Sequence, residues 1–528
     1  MYACYVDLKK AYDSVWREGL CHKLKALGVD EKMTNIISNM YKQTYTSVIF
    51  KKKILPKIRV TKGLKQGDNL SPLLFNIYIN DLPQYLSHGN TYPVDLMGKK
   101  LNCLLWADDL ILMSETPEGL QRCVHNLQEY YLKWKLEINM KNTKVMTFNK
   151  SGKNLKSVRI LVNNTLLKNV TQYTYLGFTI SASGTLTHGI NNLVDKAKRA
   201  WFSIRRILSK SRQKNVKTYI TLFDYVVKPI MLYASEIWGA NIKPWDTLKS
   251  FGENTWERFH LQVCRNILGV HNKTPKIATL AEIGRYPIEQ DVHIRMVRYL
   301  LRFDTMQENK LAYMAFQEQK ITRNEKDWLN VSKSFLDRIG LSNIHKDMPV
   351  KDRKIGETNR LSKSIRDRER EKFEQIVFNE IQSKLDKDEG KLVFYGQLKN
   401  KYGYEEYLDL PNANNRVNVT RIRLSAHELE IETDRYNEID KDDRICQYCR
   451  SGKVGSEYHF IFRCPNNRGE RGAFFAELGE QNAVSETEEM QLLQNMFIKN
   501  DKSSINTLGK FLRASWDKRE LQCSNLAN

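Results

Sequence analysis

No stretch of the 528 residues reaches about 18 consecutive apolar positions, so no membrane-spanning helix is expected. The N-terminus lacks a basic region followed by an apolar core, so no secretory signal peptide is expected there. Cysteine is sparse: nine in the chain, scattered except for Cys446, Cys449 and Cys464. That usage argues against a disulfide framework and for a reducing intracellular setting, nuclear or cytoplasmic. Acids are outnumbered, 61 Asp and Glu against 84 Lys and Arg, for a formal net charge of +23. Such an excess favours a polyanionic partner, because Lys and Arg release condensed counterions when they neutralise phosphates. A generally basic protein has the same composition, so charge alone does not decide. With 41% hydrophobic and 27% charged residues the chain is globular and long enough for about two to four domains.

A different scarcity organises the N-terminal part. The adjacent acids Asp108 and Asp109 have no basic neighbour to neutralise them. They sit between two short apolar runs, Leu101–Trp106 and Leu110–Met113, a pattern that predicts a buried β-hairpin with the acids at its tip. Like charges this close raise each other's pKa unless a cation lies between them, and oxygen ligands favour magnesium or manganese. A solvated turn would account for the pair equally well. Tyr2–Val6 is a second β-prone run, and it ends in Asp7. A strand ending in an acid and a hairpin tipped with acids let distant residues share two divalent ions, roughly 3.5–4 Å apart, as in in-line phosphoryl displacement.

Further along, Ser14–Ala26 reads as a helix, and Asp30 caps a second with Met33, Ile36, Ile37 and Met40 on one face. Thr46–Phe50 and Lys57–Thr61 read as a hairpin leading into the loop Gly63–Asp68. Ser71 and Pro72 start an apolar helix that runs to Leu82 and is stopped by Pro83. Thr116-Pro117-Glu118 opens a helix whose Leu120, Cys123, Val124, Leu127, Tyr131 and Trp134 recur at core spacing. Tyr173–Ile180 is a strand-turn-strand pattern. From His188 to about Lys217 a helical region carries Lys196, Lys198, Arg199, Arg205, Arg206, Lys210, Arg212 and Lys214 among Trp201, Phe202 and Ile204. This predicts an apolar face in a core and a basic face that is either solvated or on a phosphate backbone. Val216–Ala240 continues helical, and the alternating charges of Arg360–Lys372 predict a salt-bridged, solvated helix. Cys446-x2-Cys449-x9-His459-x4-Cys464 offers three thiolates and an imidazole to one tetrahedral structural Zn²⁺, either a staple or a knuckle for single-stranded nucleic acid. After about Arg471 one helix, Ser504–Trp516, is expected in a polar tail.

Four segments in this order, DLKKAYD, GLKQGDNLSPLLFNIYIND, WADD and YTYLGFTIS, resemble the ordered motifs of reverse transcriptases, and more narrowly those of LINE-type non-LTR retrotransposons. The resemblance covers about the first 300 residues, with YASEIWG at Tyr233–Gly239 matching the thumb region, and resumes at the Cys/His cluster. It implies an α+β fold: a reverse-transcriptase palm, an antiparallel sheet with packed helices, over 1–182, a helical thumb over 183–300, a charged helical connector over 301–440, a CCHC zinc module over 441–470 and a tail over 471–528. It implies RNA-directed DNA polymerisation with Asp7 and Asp108 as ligands of two Mg²⁺ or Mn²⁺ ions and Asp109 assisting. The implied partners are an RNA template, a DNA primer and deoxynucleoside triphosphates, with no membrane. Tyr12 would exclude a 2′-hydroxyl, Gln66, Gly67 and Ser71 would line the nucleotide site, and Leu176 and Gly177 would grip the primer end. Two departures stand out. Asn142 occupies the place of a Lys that protonates pyrophosphate, with Lys141 and Lys144 nearby, and an amide cannot supply the typical 10²–10⁴-fold of a general acid. Asp7 also lies almost at Met1, so an N-terminally truncated chain without a fingers region is expected, and no acid-rich nuclease pattern follows Cys464. The alternatives are a catalytically dead remnant that only binds RNA or DNA, and an intron-encoded maturase, against which the zinc module and YASEIWG argue.

Overall fold

Tyr2–Val6 (β1) forms the middle of a five-stranded sheet, and the rest of the first unit is built around it. The computed structural model describes residues 1–149, 157–211, 214–242, 252–322, 327–342, 355–479 and 485–527, so Arg212 of the basic region lies outside the described residues. The sheet adds Cys103–Trp106 (β2), Asp109–Ser114 (β3), Lys144–Thr147 (β4) and Lys168–Asn169 (β5) in the order β5-β4-β1-β3-β2. All pairings are antiparallel except β4 with β5. Because side chains alternate across a strand, Cys4 and Val6 face one core with Leu110 and Leu112, while Ala3 and Tyr5 face another with Ile111, Met113 and Met146. β3 is buried from Leu110 to Ser114, but β2 is an edge strand, half-buried, with Trp106 69% exposed. The expectation of a uniformly buried hairpin is corrected accordingly: a strand paired on one side only keeps one flank in solvent.

Helices cover the Cys4/Val6 face. They are Arg17–Ala26 (α1), Glu31–Lys42 (α2), Ser71–Ile79 (α3), Leu82–Leu86 (α4) and Pro117–Lys133 (α5). The helix expected from Ser14 is interrupted at Val15 and Trp16, leaving a single turn Ala11–Ser14 before α1. Asp30 caps α2 through the N–H groups of Lys32 and Met33, as its sequence position predicts. The apolar face expected on α2 is not buried, however. Ile37 faces the core beside Thr34 and Tyr41, whereas Met33, Ile36 and Met40 are exposed. Ser71 is not the cap of α3 but its first residue, because the Asp68 carboxylate takes the N–H groups of Leu70 and Ser71 at 2.6 and 2.7 Å. Pro83 does not stop a helix. α3 ends at Ile79, and Pro83 sits in the first turn of α4, where its missing N–H costs nothing. Thr116 caps α5 through Gly119 N–H, and every core position expected there is buried. Lys23 of α1 is buried, its ammonium 2.6 Å from Asp81 and 3.8 Å from the Trp134 ring centre, which ties α1 to α4 and to the end of α5.

On the other face lies the hairpin Gln172–Tyr175 (β6) and Phe178–Ser181 (β7), in the expected place. Tyr173 stacks on Tyr5 with ring centres 4.3 Å apart. This unit spans Met1–Asn192 with Gln307–Asn324.

Leu193–Met306 and Glu325–Asn528 form a second, mainly helical unit. The helix Thr187–Lys210 (α6) carries the chain into it. Its core joins Thr255–Leu268 (α7), Lys276–Ile283 (α8), Ile355–Asp386 (α9), Ala413–Arg423 (α10) and Lys502–Ala527 (α11). The last of these is longer than expected and supplies Ile505, Leu508, Phe511 and Leu512 to the core, so the segment after Arg471 is no mere polar tail. Val216–Ala240 is not one helix. It breaks into Val216–Leu222, a wide turn Phe223–Val227, Lys228–Met231 and Ser235–Trp238, around Pro229. Nor is Arg360–Lys372 simply solvated: Ser362 and Ile365 are buried, and Glu369 pairs with His293 rather than within its own helix.

Candidate active site

Pairing register brings the acids together. Val6 faces Leu110 across β1 and β3, and Trp106 faces Asp109 across the hairpin. One further step along the same register sets Asp7 beside Asp109, where opposed Cα atoms lie about 4.5–5.5 Å apart. The turn between β2 and β3 is Ala107-Asp108, with Ala107 at φ 51°, a left-handed conformation that L side chains adopt at a cost and that recurs at functional sites. Asp7 and Asp108 are half-buried and Asp109 is exposed.

Electrostatics report the same convergence. Although Asp109 as a whole is exposed, its carboxyl is raised above the usual carboxylate range by partial desolvation first, then by Asp108 and by Asp7. Among the described residues no ion pair neutralises any of the three. The negative charge spreads to the surrounding phenols. Tyr12, stacked on Phe75 at 4.9 Å, is raised by burial and then by Asp108. Tyr173 is raised by burial, then by Asp7 and Asp109, so its phenol lies within electrostatic reach of both acids. Such a cluster of oxygen donors fits hard divalent cations.

The other expected residues fall around it. Gly63 takes φ +85°, and a Cβ there would meet the Asp13 carbonyl oxygen at 2.7 Å, so glycine lets the 63–71 loop dock against the segment after β1. Leu64 N–H donates to Tyr12 O at 2.8 Å, and Gln66 Nε2 reaches Asp13 Oδ1 at 3.3 Å. Gln66 and Gly67 are exposed, while Ser71 is buried with its hydroxyl on Lys65 O at 2.6 Å. Leu176 and Gly177, at φ 46° and 83°, form the two-residue turn of β6–β7, the pair of positive angles that a tight hairpin demands.

Asn142 is not idle. Its side-chain amide donates to Asp7 Oδ2 at 3.0 Å, and that of Asn139 donates to the same oxygen at 2.6 Å. Lys144 turns away to the Lys141 carbonyl. Neither Asn139 nor the Tyr173 stack announces itself in sequence, since amides in loops and aromatics in strands usually serve local structure.

On α6, Arg199, Arg205, Arg206 and Lys210 are exposed, with Lys214 beyond it. Trp201 is buried as expected, but Phe202 is 52% exposed among the basic side chains rather than in the core. In the second unit Cys446, Cys449, His459 and Cys464 converge, their ligand atoms all within 4.8 Å of one another. Cys446 N–H donates to Lys453 O, closing the first turn, and the wide turn His459–Arg463 brings Cys464 beside His459. A tetrahedral ion with Zn–S bonds of about 2.3 Å needs ligand separations near 3.8 Å, so this donor set fits zinc.

Comparison with known proteins agrees with the motifs. Residues 2–180 match the reverse transcriptase (RNA-dependent DNA polymerase) family. The chain is 31% identical over 201 residues to the Pol polyprotein of the type-1 retrotransposable element R2 of Nasonia vitripennis, covering 36% of this chain and 19% of that one. It is 24% identical over 243 residues to the RNA-directed DNA polymerase of the mobile element jockey of Drosophila funebris (45% and 26%), and 24% over 247 residues to the probable RNA-directed DNA polymerase of transposon BS of Drosophila melanogaster (46% and 27%). The chain thus matches about a fifth to a quarter of the length of these relatives. A telomerase structure from Candida albicans aligns with a TM-score of 0.25 at 12% identity over 60% of this chain and 50% of that one, too loose a match to bear on the fold.

Proposed function

We propose that this chain, whose residues 2–180 are a reverse transcriptase domain of the non-LTR retrotransposon type, extends a DNA primer on an RNA template. The observation that carries this is the meeting of Asp7, Asp108 and Asp109 at one end of the sheet, with no ion pair to any of the three among the described residues. In this reading Asp7 and Asp108 hold two divalent cations and Asp109 assists. Divalent cations held there would supply a lowered pKa for the primer 3′-hydroxyl and charge to balance the departing pyrophosphate. The protein's own residues position the substrates. Tyr12, held flat on Phe75, blocks a 2′-hydroxyl, and Gln66 and Gly67 present an open loop edge to the incoming nucleotide, with Ser71 fixing that loop. The Leu176-Gly177 turn holds the primer end, and the exposed cations of α6 grip phosphates without reading bases. Zinc at the Cys446, Cys449, His459 and Cys464 cluster staples its module. On this account 1–182 act as palm, 183–300 as thumb and 301–440 as connector.

Primer extension tests the proposal, with oligo-dT on poly-rA and Mg²⁺ or Mn²⁺ present. The wild type is expected to extend the primer and Asp108→Ala to fall to background. Equal signals from both proteins, or RNA binding without extension in the wild type, would leave only a nucleic-acid-binding remnant.

A further inference from the structure

Two neutral amides converge on a single carboxylate oxygen, and they do so in the position where the family resemblance leads one to look for a cation. Asn139 Nδ2 lies 2.6 Å and Asn142 Nδ2 3.0 Å from Asp7 Oδ2. Among the described residues no hydrogen bond reaches Oδ1. We propose that Asn139 and Asn142 are positioning residues that clamp Oδ2 of Asp7, so that Oδ1 is the oxygen presented to a divalent cation. The proposal rests on the reading of Asp7 as a metal ligand.

The loop that carries the amides is fixed to the main chain on both sides of Asp7. Leu8 bridges to Ile138, Asn139 N–H donates to Asp7 O at 2.8 Å, and Asp7 N–H donates to the buried Thr143 hydroxyl at 3.2 Å. The turn itself is closed by Asn142 and Thr143 N–H groups, both on Asn139 O. Which way the Asn139 amide faces follows from its other end. Lys141 N–H donates to Asn139 Oδ1 at 3.2 Å, which leaves Nδ2, the donor, for the acceptor-only carboxylate.

The chemistry explains why an amide serves here. A Lys at position 142 would set an ammonium against Asp7 and compete with the cation for its charge. An amide orients the carboxylate without discharging it. What is given up is a proton donor for pyrophosphate; what is gained is a rigid ligand. Partners of this kind behind a metal ligand are typically worth about 10–100-fold in metal affinity or activity.

Asn142 is exposed, so its substitution leaves the fold intact, and Mn²⁺ alone is a sufficient probe. Mn²⁺ would be titrated into the full chain by electron paramagnetic resonance or calorimetry, alongside single-turnover extension and a thermal melt. Asn142→Ala is expected to weaken Mn²⁺ binding about 10-fold with an unchanged melt, and Asn142→Lys to weaken it further. Wild-type affinity in Asn142→Ala would overturn the clamp alone, leaving Asp7 as a ligand. So would faster extension by Asn142→Lys at unchanged Mn²⁺ affinity, which would make this the place of a leaving-group acid. If the wild type binds Mn²⁺ no better than Asp108→Ala, the metal site itself falls, and the clamp with it.

Discussion

Asp7 stands at the end of a strand that is paired on both sides, and Asp109 begins the neighbour, so their spacing is set by backbone hydrogen bonds rather than by side-chain choice. That rigidity holds three acids from distant parts of the chain at one end of the sheet. These residues were legible because each ends or begins an apolar run, a pattern that survives in one dimension. Asn139 was not, and Asn142 was marked only as a missing Lys, because a loop amide aimed at a carboxylate has the same sequence signature as one aimed at water. Tyr12 lies between these cases. Its ring is held against Phe75 at 4.9 Å and its phenol is within electrostatic reach of Asp108, but the sequence offers only an aromatic five residues after Asp7. If the ring excludes a 2′-hydroxyl, Tyr12→Ala should raise ribonucleotide use relative to deoxyribonucleotide use about 10-fold or more, since a filled or emptied steric slot typically discriminates by that order. Competitive extension with mixed triphosphates measures it. An unchanged ratio would make Tyr12 a packing residue only.

Elements were read well where they begin and less well where they pack. Caps such as Asp30 and Thr116 are local, because a side-chain oxygen three residues from an N–H suffices. Burial is not local. Met33, Ile36 and Met40 repeat at helical spacing, yet α2 lays Thr34, Ile37 and Tyr41 on the core instead. The same limit hid a pair of buried acids in the second unit. Glu257 of α7 accepts Ile288 N–H at 2.9 Å and lies 3.0 Å from His260 Nδ1, and burial pushes it up to about 8, with Asp291 adding to the rise. Glu289 is also pushed up to about 8, by burial and then by Glu257. Each therefore holds a proton in the folded state over a range where the unfolded chain has released it. Their contribution is complete below about pH 4.5, the ordinary Glu value, and is lost as pH rises toward 8. The slope is at most about 1.4 kcal/mol per pH unit for each group. Glu257→Gln, which keeps an acceptor for Ile288 N–H, should flatten the decline seen by urea unfolding between pH 5 and 8. Equal slopes in the two proteins would mean that Glu257 is ionised in the folded state across that range.

At the scale of the molecule, the hydrophobic residues divide into separate cores, one under the sheet of the first unit and one joining α7 to α11 in the second. Sequence motifs marked the first strongly, because the chemistry proposed for it demands particular residues at particular spacings. The second is largely ordinary helical packing, marked in sequence only by YASEIWG and the Cys/His cluster, neither of which lies on α11, and so the contribution of α11 to it could not be seen. That cluster is continuous with its surroundings. Phe460, between His459 and Cys464 in the chain, stacks on Trp516 of α11 at 4.5 Å. Arg519 of the same helix pairs with Glu430 at 2.7 Å, and Glu430 Oε1 accepts Gln447 N–H between the first two cysteines. A bound zinc ion would thus restrain α11 as well as the knuckle. Since ligand geometry of this kind does not persist without the ion, its binding energy is folding energy. The purified protein is expected to hold one zinc per chain, measured by elemental analysis. A strong chelator should accelerate amide hydrogen exchange over residues 445–467 and along α11, while β1 and β3 keep their protection because they belong to another core. Exchange that quickens in the sheet to the same degree would show that the two cores unfold together. Exchange unchanged near Trp516 would reduce the zinc to a surface clip.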